Sequence, residues 1–342
     1  MRKRGNTTQF AFAACIATLA MLAGSPPDAV ATPPSVGGCQ LFPPASAAPG
    51  EPSAAEQSAW NQDVSEAPVA RNSAKLIDQI QRDGSHRLHP DFGSNPDYGI
   101  PYEVVPADQS PVKVTIGPNG YPDESDFGVG TTGSSTAPIP LDADVEAGSD
   151  HHAIVVQQGD CGLYEMYAAT LNNAGSGWRA ASTALFDLSQ APLTRPDGWT
   201  SADAAGLPIL PGLVRYDEAV VGEIDHAIRV TFALTRRAYL HPATHYASSS
   251  CKRSRPAMGM RLRLRQGYFD DHVADYPAAS QSRAVFVALR HYGMIVADNG
   301  SNWFITGETN PAWDDEDLDR LKSVPGRAFE VVKSAAHAQT PC

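Results

Sequence analysis

Turn residues interrupt this sequence so often that only short helices and strands fit between them. Glycine and proline occur 28 times each, and both residues break regular structure. Clusters of turn residues lie at 93–96, 117–120 and 128–130, with strands predicted between them at 102–106 and 112–116. The chain is therefore limited to many short elements.

Stronger strand signals begin at residue 150. Residues 152–156 and 162–168 are rich in apolar and aromatic side chains and flank the turn 158–160, so they predict a hairpin. Further strand candidates are residues 183–188, 223–234 and 261–265, and a late hairpin is predicted from residues 294–297 and 303–306. In residues 261–265 arginine and leucine alternate, which predicts one aliphatic and one cationic face.

Three helices are predicted outside these strands. The first covers residues 72–83 with Asn72 as its cap, and the second covers residues 278–292 and ends at Gly293. A last short helix at residues 314–322 carries acidic side chains in its first turn, where the helix dipole favours them.

Many short strands with few helices indicate a mainly β fold. We expect a single domain built as an antiparallel β-sandwich or jelly roll with a few peripheral helices. Strands and helices do not alternate along the sequence, which argues against a parallel, doubly wound sheet.

The amino terminus has the pattern of a secretory signal peptide. Arg2, Lys3 and Arg4 precede the apolar residues 10–23, and Ala29-Val30-Ala31 supplies a small-residue cleavage site. We therefore predict a secreted, extracellular protein. The predicted parts of the chain are a signal peptide at 1–31, a flexible lead-in rich in Pro, Ala and Ser at 32–58, and a single β-rich domain at 59–342.

Cysteine usage agrees with export. The chain has five cysteines, and Cys15 would leave with the signal peptide. The remaining four, Cys39, Cys161, Cys251 and Cys342, predict two disulfides, with three connectivities open. None of them forms a CxxC pair, so the sequence gives no support for a zinc or redox site.

The charge balance bears on possible partners. The formal net charge is −12, and removal of the signal peptide would make the chain more negative still. A chain this acidic is not expected to bind nucleic acid. Beyond the signal peptide no apolar segment is long enough for a membrane helix, so no membrane association is expected after cleavage.

One stretch departs from this acidic background. Residues 226–269 contain no aspartate or glutamate but carry nine arginine and lysine residues. These basic side chains could pair with the acidic residues 314–319. Alternatively, they could form a basic patch that recognises an anionic partner, such as an acidic glycan or wall polymer.

Candidate chemistry comes from histidines and carboxylates in or beside the predicted strands. The candidate catalytic residues are His152, Glu165, His226 and His245. Candidate substrate-binding residues are Arg229, Asp217, Tyr246, Trp199 and Trp303. Bringing several such side chains into a sheet would cost desolvation energy, which a functional site could justify.

Three chemistries fit this set of residues. Glu165 could pair with Asp225 or Asp217 as the two carboxylates of a glycosidase. His245 and Tyr246 could instead catalyse β-elimination on a uronic-acid polymer. A metal is the third possibility, but no pair shows recognisable ligand spacing, so no metal site is predicted and no motif requires a cofactor.

Several segments resemble a family of secreted bacterial proteins to which no function is assigned. They are WTSADAAGLPILPGLVRYDE at 199–218, DHAIR at 225–229, HYAS at 245–248 and ADNGS at 297–301. The resemblance extends over residues 60–332. It implies that these segments belong to one domain and, because such proteins are common in bacteria that secrete polysaccharide-degrading enzymes, it favours a carbohydrate substrate.

From the sequence alone we therefore expect a secreted enzyme that cleaves a polysaccharide, of the glycoside hydrolase kind. The alternatives are a polysaccharide lyase acting on an acidic glycan and a non-catalytic protein that binds a glycan or the cell wall.

Overall fold

The turn residues do divide the chain into short strands and helices. The computed structural model describes residues 35–42, 58–190 and 192–342. The predicted signal peptide at 1–31 lies outside these residues, as does most of the predicted lead-in at 32–58. The strands are β1 Ser35–Val36, β2 Cys39–Gln40, β3 His89–Asp91, β4 Glu103–Val105, β5 Val112–Ile116, β6 Thr136–Ala137, β7 Ala153–Gln157, β8 Gly162–Tyr167, β9 Thr170–Leu171, β10 Gly177–Ala180, β11 Ser182–Asp187, β12 Ile228–Phe232, β13 Arg261–Leu264, β14 Met294–Asn299, β15 Phe304–Thr306 and β16 Phe329–Val331. The α-helices are α1 Ser73–Asp83, α2 Tyr216–Val221, α3 Gln266–His272, α4 Gln281–His291 and α5 Asp315–Leu318.

The largest sheet has six strands in the order β16-β13-β14-β12-β15-β3. It is mixed, because β12 runs parallel to β14 and β15 runs parallel to β3, whereas the other neighbours are antiparallel. Helix α4 packs against β13 and helix α1 against β16. We call this the central sheet.

Two further sheets have four strands each, and β1 pairs with β2 in a small two-stranded sheet. The middle sheet has the order β11-β8-β7-β4, and the outer sheet has the order β6-β5-β10-β9. Ile154, Val156 and Leu163 of the middle sheet belong to the hydrophobic core that also contains the central sheet. Val155 and Met166, which alternate with them along the strands, belong to a second core shared with the outer sheet. The middle sheet is therefore buried on both faces, and its strands read as nearly continuous apolar runs.

The chain is sheet-rich, but its sheets are not antiparallel throughout. Parallel pairs occur in all three large sheets, the other two being β4 with β7 and β5 with β10. The mainly β class agrees with the sequence, but the expected antiparallel β-sandwich or jelly roll is not confirmed. Local alternation predicts where strands form but carries no information about the direction of a neighbour that lies far away in the sequence.

The hairpin of β7 and β8 is confirmed, with Gln157 opposite Gly162 at its end. The late hairpin is wrong, because β14 and β15 each pair with β12, which lies between them. Trp303 accounts for this difference. Its ring is fully buried, lies 5.0 Å from that of Phe232 and stacks at 5.4 Å on that of Phe329. Burial of this large ring outweighs the local turn signal.

The helix predictions hold in outline. Helix α1 begins at Ser73, but the side chain of Asn72 makes no capping hydrogen bond, contrary to expectation. Helix α4 is capped instead by Ser280, whose side chain accepts a hydrogen bond from the Arg283 amide, and Gly293 follows it with φ 70°. In the last helical segment the Asp314 side chain caps α5 by accepting from the Asp317 amide.

The two predicted disulfides are confirmed. Cys39 is bonded to Cys161 with their Cα atoms 5.4 Å apart, and Cys251 is bonded to Cys342 with 5.6 Å between Cα atoms. The first disulfide ties part of the lead-in to the start of β8. The second ties the last residues of the chain to residues 226–269, which contain no aspartate or glutamate and which we call the acid-free stretch. Among the residues described, no helix has the length and apolarity needed to cross a bilayer.

Candidate functional site

One face of the central sheet carries a row of polar side chains. The Arg229 side chain on β12 donates to the Thr306 hydroxyl on β15, and Thr306 lies directly across from Asp91 on β3. Residues that face each other across strands point to the same side of a sheet. The register between β12 and β14 shifts after Val230, so that Thr231 pairs with Asp298. Such an irregularity re-aims a side chain, and here it turns Asp298 to the face of Arg229.

Arg229 is the centre of this row and is only 4% exposed. Its Nε and Nη2 atoms donate to the two carboxylate oxygens of Asp203 at 2.8 and 3.0 Å. Its Nη1 atom donates to the Thr306 hydroxyl at 2.8 Å, and its Nη2 atom lies 3.5 Å from Asp298 Oδ2. A two-pronged pair of this kind is strong and directional. The positive charge of Arg229 is thus satisfied inside the protein.

Asp203 reaches the sheet from the loop that precedes α2. The Asp203 carbonyl oxygen accepts from the Gly206 amide, and the Ala205 amide donates to the Ala297 carbonyl of β14. Gly206 has φ 73°, and a Cβ atom there would collide with the Thr244 side chain. Glycine is therefore required at this turn, which holds Asp203 against the central sheet.

Asp298 combines a perturbed pKa with access to solvent. Burial and the nearby Asp203 carboxylate raise the pKa of Asp298 from 3.8 to about 8, although the Arg229 charge opposes this. Its side chain is nevertheless 18% exposed. The Asn299 amide donates to Asp298 Oδ1 at 2.6 Å and fixes its orientation. At neutral pH this carboxyl group carries a proton, and a substrate can reach it.

His152 and Glu165 lie behind this row, on or next to the middle sheet. His152 Nδ1 is 2.6 Å from Glu146 Oε2, and its Nε2 is 3.1 Å from the Ala202 carbonyl oxygen. This carboxylate partner raises the pKa of His152 against the effect of burial. Glu165 is fully buried and accepts from the Ile209 and Leu210 amides at 2.8 and 3.0 Å. Burial raises the pKa of Glu165 to about 7.

A pocket of about 260 Å³ opens above the Asp203–Arg229 pair. Its lining residues are Tyr121, Asp150, Tyr167, Ser182, Thr200, Ser201, Ala202, Asp203, Ala204, His245, Ala247, Asp298 and Asn299. The lining is thus made of aspartates, hydroxyl groups, tyrosines and one histidine. Lysine and arginine do not occur among these residues.

His245 and Tyr167 are two ring side chains of the pocket wall. His245 Nδ1 lies 2.9 Å from the Ala204 carbonyl oxygen. A carbonyl can only accept, so Nδ1 carries the proton and Nε2 is left as an acceptor in the neutral ring. Burial and the charges of Asp150 and Asp298 raise the pKa of Tyr167. Both carboxyl groups are therefore near enough to the Tyr167 hydroxyl to influence it electrostatically.

Of the four candidate catalytic residues, only His245 lines the pocket. His152 and Glu165 are buried below it, and each is influenced electrostatically by Asp203. His226 is not brought to this group. It is fully buried beside Glu218 and Arg215, with its Nε2 atom 3.2 Å from Glu218 Oε2.

The candidate substrate-binding residues are dispersed. Arg229 lies under the pocket with its charge taken up by Asp203, and Asp217 is exposed on α2. Glu165 is fully buried, so the proposed carboxylate pair of Glu165 with Asp217 does not form. The fully buried Trp303 cannot stack on a sugar. The half-buried Trp199 faces Arg195, whose Cζ atom lies 5.4 Å from its ring, and the half-buried Tyr246 stacks on His245 at 5.6 Å.

The sequence interpretation missed Asp203 and Asp298 as functional residues. Both lie within segments that carry the family resemblance, WTSADAAG and ADNGS, but Asp298-Asn299-Gly300 also has the composition of a hairpin turn. Asp298 directly follows the predicted strand 294–297, and this position was the one sequence signal for a functional role. Asp203 lies in a loop, so the same signal could not identify it.

Three of the eight arginines in residues 226–269 pair with carboxylates from elsewhere in the chain. Arg229 pairs with Asp203, Arg255 Nε lies 3.1 Å from Asp83 Oδ2, and Arg263 Nη2 lies 2.8 Å from Glu330 Oε1. The expected cationic face of β13 is therefore partly buried. Within the described ranges, none of these ion pairs involves residues 314–319, the acidic segment proposed from the sequence.

The structure thus defines a sheet-rich protein with an aspartate-lined pocket between the central and middle sheets. Over the described part of the chain, no group of three or more His, Cys, Asp or Glu side chains is arranged to hold a metal ion. Comparisons with protein-family models, curated proteins and solved structures gave no match.

The protonation of this region predicts how stability depends on pH. Asp298, Glu165 and His152 all have a raised pKa in the folded chain. These three groups therefore bind more protons in the folded than in the unfolded chain, and together they outweigh His89, whose pKa burial lowers. The free energy of unfolding should thus fall as pH rises from about 4 to about 8. Urea denaturation at several pH values in this range measures the slope.

Asp298→Asn should flatten this pH dependence, because asparagine does not titrate. Asp108→Asn is the matched control, since Asp108 is an exposed loop residue, and it should keep the slope of the unaltered protein. A free energy of unfolding that increases over this pH range would contradict the assignment.

Proposed function

We propose that this protein is a glycan-cleaving hydrolase and that Asp298 is its general acid. The observation that carries the proposal is the raised pKa of Asp298, about 8, on a side chain that reaches an open pocket. Cleavage of a glycosidic bond needs an acid that protonates the leaving oxygen, and a carboxylic acid serves when its surroundings keep it protonated near neutral pH.

A second carboxylate is available on the same pocket. Asp150 lines the wall near Tyr167, as Asp298 does. Glycosidases use one carboxylic acid and one carboxylate, the latter to activate water or to attack the sugar. Asp203 is less suited to this role, because both of its oxygen atoms already accept from Arg229. We therefore assign the second role to Asp150.

The remaining lining suits the hydroxyl groups of a sugar. His245 Nε2 can accept a hydrogen bond. The hydroxyl groups of Ser182, Thr200 and Ser201 already donate to backbone carbonyl oxygens, so at the pocket they can act only as acceptors. Tyr121, which is 48% exposed, offers a ring at the rim. Aromatic faces and convergent hydroxyl groups are common in pockets for polar ligands.

The charge of the pocket favours a neutral sugar at the cleaved bond. Its lining contains no lysine or arginine, and its acidic side chains are Asp150, Asp203 and the protonated Asp298. The lining therefore offers a uronic acid no cation, and a lyase needs a cation to neutralise the uronate. Since the guanidinium of Arg229 is held by Asp203, the lyase alternative has less support than hydrolysis.

Secretion is part of the same proposal. Two disulfides are consistent with an extracellular protein, because such bonds persist in oxidising compartments. The signal peptide predicted from residues 1–31 stays a prediction.

Incubation with a panel of neutral and acidic polysaccharides tests the function. We expect new reducing ends from a neutral polysaccharide. Ultraviolet absorbance from an unsaturated uronate would show a lyase instead. Retention on a polysaccharide gel without any cleavage would show a binding protein, and either of these results would overturn the proposal.

A further inference from the structure

Three arginines of the acid-free stretch remain together at the surface. Arg236, Arg237 and Arg253 line a small cleft beside the Cys251–Cys342 disulfide. Arg229, Arg255 and Arg263 of the same stretch pair with carboxylates, as described above. These three define what we call the arginine cleft.

The charges of the arginine cleft are not compensated by carboxylates. Among the described residues, none of the ion pairs formed by arginine involves Arg236, Arg237 or Arg253. Cys342, the last residue of the sequence, also lines the cleft. The Nε atom of Arg236 is buried and has no hydrogen-bond acceptor there. Burial and the charge of Arg253 lower the pKa of Arg236. Like charges held together in this way cost free energy that a bound anion would recover.

Ser250 provides a further donor in the cleft. Its hydroxyl oxygen accepts from Arg255 Nη1 at 3.0 Å and from the Lys252 amide at 3.3 Å. With its oxygen occupied as an acceptor, the hydroxyl proton remains free to be donated. The cleft volume is about 30 Å³, which is room for about two water-sized oxygen atoms. It can therefore admit the oxygen atoms of one anionic group but not a sugar ring.

We propose that the arginine cleft binds a single oxyanion group, such as a phosphate, a sulfate or a carboxylate. Guanidinium groups and a hydroxyl donor together match the oxygen atoms of such a group. This site is separate from the aspartate-lined pocket and does not depend on its catalytic role.

The arginine cleft is nevertheless connected to the pocket. Arg237 Cζ lies 5.5 Å from the Tyr246 ring, and Tyr246 stacks on His245, which lines the pocket. An anionic substituent of a polymer held near the pocket could therefore occupy the cleft. A free anion and a substituent on a polymer share the same chemistry, so the experiment must separate them.

Thermal unfolding with inorganic phosphate tests the site. At matched ionic strength, we expect about 100 mM phosphate to raise the Tm by about 2–4 °C over chloride, because a ligand that binds only the folded state stabilises it. The Arg236→Gln/Arg253→Gln variant should lose this rise, with phosphate affinity lowered at least about tenfold. Lys75→Gln removes an exposed charge elsewhere on α1 and should keep the rise.

The variants also separate binding from a structural role. In chloride alone, Arg253→Gln should melt no lower than the unaltered protein, because it relieves repulsion with Arg236. The proposal would be overturned if phosphate raised the Tm of the double variant as much as that of the unaltered protein. It would also be overturned if Arg253→Gln lowered the Tm equally in phosphate and in chloride.

Electrophoretic retardation in gels that contain dextran sulfate, compared with gels that contain dextran, then tests whether a polymer supplies the anion. Retardation that depends on both arginines supports a polymer-borne anion, and a phosphate effect alone supports a free anion.

Discussion

Asp298→Asn is expected to lower kcat on the cleaved glycan by about 10²–10⁴-fold, the usual contribution of a general acid. Asparagine keeps the shape of the side chain but cannot donate the proton that the raised pKa of Asp298 keeps in place. KM should change much less, since protonation of the leaving oxygen occurs only in the transition state. Initial rates of reducing-end release measure both constants.

Asp108→Asn makes the same chemical change on an exposed loop and controls for the loss of a carboxylate. Its kcat should equal that of the unaltered protein. A kcat for Asp298→Asn within about threefold of that control would remove Asp298 from the chemistry.

Arg229→Met is expected to lower the free energy of unfolding by about 3–5 kcal/mol, as for other buried ion pairs that lose one partner. The reason is the position of Asp203, which is 1% exposed and directs both carboxylate oxygens at Arg229. Without the guanidinium, this charge stays buried without compensation. Denaturation in urea near neutral pH measures the difference.

A surface arginine provides the comparison for this loss. Arg327 Nη1 lies 3.0 Å from Asp78 Oδ1 and its side chain is 70% exposed, so Arg327→Met should cost only about 0–1 kcal/mol. The double variant Asp203→Asn/Arg229→Met should recover part of the stability lost by Arg229→Met, because it removes the buried charge. Equal losses for Arg229→Met and Arg327→Met would contradict the described ion pair.

Local patterns predicted most of the elements because they depend on local information. The strand predicted at 112–116 matches β5, and the hairpin of β7 and β8 forms where the turn at 158–160 indicates. Strand order is not local. The insertion of β12 between β14 and β15 depends on how Trp303 packs, and nothing in residues 294–306 alone reveals the identity of that neighbour.

The site was harder to predict because its residues meet only in the folded chain. His152 and Glu165 were selected as polar residues in apolar strands, yet their partners are Glu146 and the backbone amides of a distant loop. Asp298 becomes a candidate acid only through its burial beside Asp203. The sequence shows neither of these environments.

The basic stretch illustrates the same limit. An absence of acidic residues over 226–269 suggested a basic patch, but acids from elsewhere in the chain reach Arg229, Arg255 and Arg263. Arg236, Arg237 and Arg253 of the arginine cleft are not paired in this way. Composition identified the excess of charge, and only the fold distinguishes the compensated arginines from those of the cleft.

The titration of Asp298 is the most direct test of the proposed chemistry. Carbon-13 NMR of protein labelled at the aspartate carboxyl groups, recorded from about pH 4 to pH 9, follows each carboxyl separately. We predict one resonance with a pKa of about 8 that disappears in Asp298→Asn. If every aspartate carboxyl titrates below about pH 5, near the ordinary range, then Asp298 is ionised at neutral pH and cannot be the general acid.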